Sequence, residues 1–180
     1  MSLSPISAFA ANLGNPQRTF LWTIIFPNIV GGGGTAQTIA LSAQSASMPE
    51  RSQGVIKVPF QAAPPLIIPG KLEYPQSWDV TFVESESAQM MATWYAWAQQ
   101  MVNDVSGVAG GDFADISANA LFQLLSADGS TVTSEYTFTS LWVQKIGAVQ
   151  VDYATSEIVR IPITFAYQGW TITGGNAVTN

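Results

Sequence analysis

Residues 77–102 read SWDVTFVESESAQMMATWYAWAQQMV, and the hydrophobic period changes within them. From Ser77 to Glu84 apolar and polar residues alternate, with Trp78, Val80 and Phe82 on one side and Asp79, Thr81 and Val83 on the other. A two-residue period describes a β-strand with one buried face. From Ser87 to Val102 the apolar residues fall instead at Met90, Trp94, Trp97 and Met101, with Met91, Tyr95, Ala98 and Val102 alongside. That spacing predicts one amphipathic helix over about residues 87–103. Ser85 or Ser87 can cap it, and Glu86 stands where the helix dipole favours an acid. The opposite face (Gln89, Thr93, Ala96, Gln100 and Asn103) is polar but uncharged, and no charge occurs between Glu86 and Asp104. Such a face either caps a sheet towards solvent or meets another protein.

The strand period recurs on both sides of this helix. Thr19–Pro27 sets Phe20, Trp22, Ile24 and Phe26 against Leu21, Thr23 and Ile25, so both faces are largely apolar. Asn119–Ala127 leads into Asp128-Gly129, a tight-turn dipeptide, and then Thr131–Val143. Gly147–Tyr153 and Glu157–Thr173 close the series, the last setting Ile161, Ile163, Phe165 and Tyr167 against Arg160, Pro162, Thr164 and Ala166. Thr38–Ser47 and Val55–Phe60 are shorter candidates. The expected fold is mainly β: an antiparallel β-barrel or sandwich with one flanking helix. At 180 residues it is one domain, 1–180, with an N-terminal extension at 1–17 and a flexible polar tail at 174–180. The stretch 48–75 stands apart. Prolines at 49, 59, 64, 65, 69 and 75 give it little helix or strand signal, and it is too long for an ordinary connector. It reads as a long extended arm.

Charge is scarce. The chain has 12 acidic and 6 basic residues, a net charge of −6, and only 10% charged residues in all. Soluble domains carry about 25%, so much of this surface is expected to be covered by copies or partners. The chain has no cysteine and no histidine. Disulfides, thiolate metal sites, cysteine nucleophiles and the Ser-His-Asp triad are therefore excluded. Six cations in an acidic chain do not make the basic footprint of a nucleic-acid binder. Met1–Gly14 lacks the charged and apolar regions of a signal peptide, and no apolar run approaches the ~20 residues of a membrane span. Alternating aromatic strands also mark membrane barrels, but a helix in mid-chain fits that class poorly.

Catalytic patterns are thin. Glu84 and Glu86 could pair as in a glycosidase, though a solvated helix start explains them more simply. Asp112 and Asp115 lack the ligand spacing of a calcium loop, and the glycine run 31–34 lacks the Lys-Ser/Thr of a phosphate loop. No cofactor is called for. Three classes remain for comparison: a self-assembling structural subunit, a carbohydrate-binding β-sandwich stacking sugar on Trp22, Trp78, Trp142 or Trp170, and a two-carboxylate hydrolase.

Three segments in order resemble the tail tube proteins of contractile-tailed bacteriophages. The first is the arm, Leu41–Gln53, leading into Val55–Phe60. The second is Ile68–Pro75, running into Trp78–Phe82 and the Trp-containing helix. The third is Ile146–Tyr153, then Ile158–Tyr167 and Trp170, with Ala154-Thr-Ser156 matching the polar turn before the last strand. The resemblance spans roughly residues 18 to 173, and tube proteins of type VI secretion and injection systems are similar in fold. It implies a hexameric ring, stacked into the inner tube of a virion, assembled in the host cytoplasm and conducting genomic DNA and the tape measure protein without binding them specifically. The implied partners are further copies, the sheath protein, and baseplate and terminator proteins, with no membrane insertion. A baseplate tube-initiator or a contractile injection-system subunit is the nearest alternative.

On that footing the arm reaches a neighbouring ring, through Met48, Arg51, Lys57, Lys71 and Glu73. Its Arg51, Lys57 and Lys71 are three of the chain's six cations and are placed to meet acids of another subunit. A neutral or acidic lumen wall lets DNA slide, because each Lys or Arg on a phosphate adds affinity. Asp79 and Thr81, opposite the core residues of their strand, are the leading lumen candidates, followed by Glu84 and Asp152. Gln89, Thr93, Ala96 and Gln100 form the helix face expected to meet the sheath.

Overall fold

The computed structural model describes residues 16–31, 36–61, 63–108, 110–154 and 156–174. In chain order the described elements are β1 (Trp22–Ile25), α1 (Ala36–Ser42), β2 (Ala43–Ala46), β3 (Ser52–Phe60), β4 (Ala63–Glu73), β5 (Ser77–Val83), α2 (Gln89–Met101), α3 (Phe113–Ile116), β6 (Ala118–Leu125), β7 (Val132–Ile146), β8 (Arg160–Ala166) and β9 (Gly169–Thr173). Most of the N-terminal extension, the tail beyond Gly174 and the rest of the glycine run lie outside the described residues.

The 15-residue strand β7 joins two antiparallel sheets. From Val132 to Leu141 it pairs with β6, which pairs with β1, and Glu135–Thr139 pairs with β9 on its other edge. From Trp142 to Ile146 it pairs with β8, which pairs with β5, which pairs with β2. Two four-stranded layers, β1-β6-β7-β9 and β7-β8-β5-β2, thus share one strand. Ser140, with φ 51°, occupies the break between them, where the β6 ladder also slips. The result is sandwich-like, and the described strands do not close a barrel.

The alternation foreseen in β5 and β8 sets the core. Trp78, Val80, Phe82, Ile161, Ile163 and Phe165 are all buried, facing Ile24, Ala120, Phe122 and Phe138 of the other layer. Trp78 stacks on Phe138 with ring centroids 4.3 Å apart. Helix α2 covers one end with Met90, Trp94 and Trp97, each fully buried; such a side chain contributes about 1.5–3 kcal/mol. Trp94 packs on Phe26, Phe82 and Phe165, and the Trp97 indole N–H donates to the Ile116 carbonyl at 2.8 Å.

Several boundaries differ from the sequence expectation. The arm 48–75 is not a bare extended segment: β3 and β4 form a two-stranded antiparallel hairpin of their own. Prolines are tolerated because a two-stranded ribbon has two free edges. Pro59, Pro64 and Pro65 all fall where the ladder slips, between Val58 and Phe60. Thr38–Ser47 begins as helix, with Ile39 its buried anchor and the Ser42 hydroxyl donating to the Thr38 carbonyl at 2.8 Å. Gly147–Tyr153 is not a strand. Gly147 N–H donates to the Pro162 carbonyl at 2.7 Å, after which the chain leaves the sheet with Val151 and Tyr153 exposed. The run 157–173 breaks at Tyr167 and Gln168 into β8 and β9, so that one chain serves both layers along a single edge of β7. No described helix is long and apolar enough to cross a membrane.

Candidate functional site

The hairpin is the feature that the rest of the fold does not explain. Every residue from Val55 to Phe60 is exposed, and Phe60, Leu66 and Ile67 are 65%, 61% and 62% exposed. A strand buried on one face alternates. Here both faces are apolar and uncovered, with Val55, Ile56, Val58 and Ile68 completing the surface. Among the described residues β3 and β4 pair with no other strand. A contiguous apolar surface of this kind marks an interaction site. Gly54 and Gly70 let the two strands approach: a Cβ on Gly70 would lie 2.9 Å from the Gly54 carbonyl. The five arm residues singled out from sequence lie on or beside this hairpin: Met48, Arg51, Lys57, Lys71 and Glu73 are all exposed. The Ser52 hydroxyl ties the hairpin base to the Glu73 carbonyl at 3.2 Å.

A second surface is the outward side of the β7-β8-β5-β2 layer. Asp79 is exposed there and accepts the Thr164 hydroxyl at 2.6 Å; Thr81 is half-buried on the same side. Cross-strand register adds a residue that sequence reading missed. Lys145 pairs with Thr164, which pairs with Asp79, so one row of this face holds Lys145, Thr164 and Asp79. Nothing in the sequence announced it, because a bulge between Val143 and Lys145 shifts the alternation of β7. Among the described residues the layer also has two open edges: β2, and the side of Trp142–Ile146 turned away from β8.

Of the other two lumen candidates, Glu84 is bound at the start of α2 and Asp152 lines a groove together with Thr81. Both Glu84 carboxylate oxygens serve α2: Oε1 accepts the N–H of Ser85 and Met90 at 2.8 and 3.1 Å, and Oε2 accepts that of Met91 at 2.8 Å. Glu84 therefore does the capping assigned to Ser85 or Ser87, whose hydroxyls bond each other at 2.8 Å. Asp152 lies in the segment between β7 and β8 and accepts the Ala154 N–H at 2.9 Å.

The helix face also differs from its sequence reading. Thr93 is buried, 1% exposed, with its hydroxyl donating to the Gln89 carbonyl at 2.8 Å. Gln89 and Ala96 are half-buried, the latter with Gly31 packed against its carbonyl, and Gln100 is exposed. The exposed line is Ala92, Tyr95 and Gln99.

Trp78 is buried, and Trp22, Trp142 and Trp170 are half-buried against Phe122, Phe113 and Tyr136. The Glu84 carboxylate is bound by three backbone N–H groups, while Asp112 precedes the short helix α3 and Asp115 lies within it. No group of three acidic side chains able to hold a metal occurs among the described residues.

Comparison with known proteins matches residues 7–173 to the family model described as phage tail tube protein. The tail tube proteins gp19 of Enterobacteria phages T4 and T6 are each 26% identical over 94 residues, covering 52% of this chain and 58% of theirs. The chain thus spans little more than half the length of these relatives. Among solved structures, the sheath/tube terminator of the extracellular contractile injection system PVC has a TM-score of 0.65 at 10% identity, covering 90% of this chain and 99% of that one. The sheath–tube complex of the same system gives 0.60 at 11%, covering 96% and 100%. The tube-terminating cap of the anti-feeding prophage gives 0.62 at 13%, covering 90% and 93%. At these identities the likeness is one of fold.

Proposed function

Since the chain belongs to the phage tail tube protein family, we propose that it is a non-enzymatic virion subunit that closes into six-membered rings and stacks them into the inner tube of a contractile tail. The observation that carries this reading is the exposed apolar hairpin, whose cover within a tube is another copy of the chain. Ring closure uses the two open edges of the β7-β8-β5-β2 layer. Pairing β2 of one subunit with the free side of Trp142–Ile146 of the next continues the sheet around the ring and leaves no unpaired edge. The number six follows the symmetry of the six-fold baseplate in which a similar fold occurs.

That layer then lines the channel, and its face is polar and close to neutral instead of basic. Genomic DNA and the tape measure protein pass along it without specific binding. The α2 side, with Ala92, Tyr95 and Gln99, faces outward to the sheath. Baseplate and terminator proteins occupy the two ends. A tube-initiator of the same fold would form rings without elongating. Negative-stain electron microscopy of the purified protein separates the cases: hollow tubes support the tube subunit, isolated rings the initiator. A strictly monomeric species at high concentration, by light scattering, would sink both.

A further inference from the structure

The two open edges of the β7-β8-β5-β2 layer are both interrupted. In β2, Ala43 pairs with Phe82 and Ser45 with Thr81, so Gln44 is an extra residue that the β5 ladder skips. In β7, Val143 pairs with Phe165 and Lys145 with Thr164, which leaves Gln144 extra in the same way. Both glutamines are exposed. The ladder between these edges, β5 with β8, runs through seven pairs without a shift. The edge strands of the other layer, β1 and β9, also pair without one. Slips in the β6–β7 ladder have causes of their own, the layer switch beside Ser140 and the turn at Asp128. Among the described edge strands of the two layers, a bulge thus occurs at the pair proposed to meet in the ring and at neither of the others. A bulge leaves its extra residue unpaired, bends the strand and increases its twist. Edges blunted in this way resist pairing with another chain.

We infer that the bulges at Gln44 and Gln144 restrain self-assembly: they hold both open edges out of regular pairing in the free subunit, so that edges join slowly between free subunits and quickly on a ring already formed. Strand direction supplies no such restraint. β2, β5, β8 and β7 alternate in direction, so β2 and β7 run oppositely and a neighbour standing the same way up meets β7 with an antiparallel β2. The restraint therefore has to lie in the edges themselves, and each edge adds to its bulge. β2 is only four residues long. Arg160 of β8 reaches across β5, and its Nε–H donates to the Gln44 side-chain oxygen at 2.8 Å, which pins the bulge. The same guanidinium is held from its other side by Glu157 at 3.1 Å. On β7, exposed Lys145 follows the bulge, and two copies meeting by this edge bring like charges together. Short length, bulges and an edge lysine are three separate ways in which sheets avoid uncontrolled pairing.

This inference rests on the ring reading and concerns when its edges pair. Deleting either glutamine keeps the remaining pairs in alternation, because Phe82 and Phe165 face the core while Thr81 and Thr164 lie on the other side. The test follows light scattering from freshly isolated monomer, with and without fragments of preformed tube as seeds, and checks the products by electron microscopy. The unmodified chain is expected to show a lag that seeds abolish. Deletion of Gln44, of Gln144 or of both is expected to shorten the unseeded lag several-fold and to lower the concentration needed for assembly about tenfold, roughly what one or two restored cross-strand pairs at an edge supply. Rings, tubes or sheet-rich aggregates that appear sooner than from the unmodified chain all show released edges. Lags and thresholds equal to those of the unmodified chain overturn the restraint. So does a folded deletion variant that assembles less, because the bulges are then working parts of the seam. Arg160→Ala and Lys145→Thr keep the chain length and serve where a deletion lowers the thermal midpoint. Each is expected to shorten the lag in the same direction, and no shortening by either rejects the proposal. Failure of the unmodified chain to form rings or tubes at any concentration would remove the ring reading itself, whereas unchanged deletion variants remove only the restraint.

Discussion

The Asn119 side-chain oxygen accepts the Ser140 backbone N–H at 3.2 Å, and that bond sits where β7 passes from one layer to the other. Ser140 has φ 51°, a left-handed conformation that costs a residue bearing Cβ about 1–2 kcal/mol. Ser140→Gly is therefore expected to stabilise the fold by up to about 1 kcal/mol, and Ser140→Val to destabilise it. Asn119→Ala removes the partner of that N–H and is expected to cost about 1 kcal/mol. For a chain of this size each kcal/mol moves the thermal midpoint about 2–4 °C. Thermal unfolding of the three variants checks the order; a stabilising Ser140→Val would refute the role of the switch.

Glu84 ties the end of β5 to the start of α2 by accepting three backbone N–H groups. Ala88, the residue before the helix, makes no side-chain cap, so the first turn depends on this carboxylate. Glu84→Ala is expected to cost about 1–2 kcal/mol, in the range of a lost N-cap. Glu84→Gln keeps one acceptor oxygen and falls between. Equal midpoints for Glu84→Ala and the unmodified chain in denaturant unfolding would show that the first turn is held by packing alone.

The turn between β6 and β7 carries a pH dependence. The Asp128 carboxylate accepts the Ser126 hydroxyl first of all, then the N–H and hydroxyl of Ser130, and these bonds hold it well below the usual carboxylate range. A depressed acid contributes its stabilisation fully above its unfolded pKa and loses it as pH falls through its folded one. The loss therefore begins below about pH 4 and continues under the ordinary carboxylate range. Asp128→Asn is expected to flatten this part of the acid limb. Unfolding midpoints between about pH 5 and pH 2 measure it, and identical slopes with and without the carboxylate would reject it.

Legibility in the sequence followed how many faces an element buries. Trp78, Val80 and Phe82 were readable because their strand buries one face, and Ile161, Ile163 and Phe165 for the same reason. The sharing of β7 between layers was not. Alternation runs through Thr131–Val143 without a glycine or proline at the switch, and only a serine in a left-handed conformation marks it. The hairpin was obscured by its prolines, which argue against a strand only when both edges must pair. Polarity alone points Thr93 outward. It lies on the helix between Met90, Trp94 and Trp97, and its hydroxyl needs no external partner once the Gln89 carbonyl accepts it. Lys145 joined the Asp79 row through a bulge that residue types alone do not encode.

The corrected helix face leads to paired outcomes. Thr93→Val keeps shape and deletes only a locally bonded hydroxyl, so it is expected to change stability by less than about 1 kcal/mol. Thr93→Lys places an unpaired charge among tryptophans and is expected to unfold the helix cover. Tyr95→Glu, by contrast, changes an exposed position and is expected to leave tube formation intact while reducing sheath decoration in a co-assembly assay. Loss of tubes by Tyr95→Glu, or full decoration of them, would mean that this side of α2 does not face the sheath.

Asp79 and Lys145 set the charge of the proposed channel wall one against the other across Thr164. Asp79→Lys removes the only acid of that row and repeats a pair of cations in every subunit around the ring. Each phosphate contact adds affinity that falls with salt, so tubes of this variant are expected to retain a short DNA oligomer at low ionic strength and release it at high ionic strength. Lys145→Glu is expected to bind none under either condition. The folded subunit tolerates both, because both positions are exposed, although loss of the 2.6 Å Thr164 contact lowers the unfolding midpoint of Asp79→Lys slightly. Fluorescence anisotropy of labelled oligomer across a salt series reads the outcome on tubes verified by microscopy. Intact Asp79→Lys tubes that hold no more DNA than the unmodified ones would place this layer outside the channel.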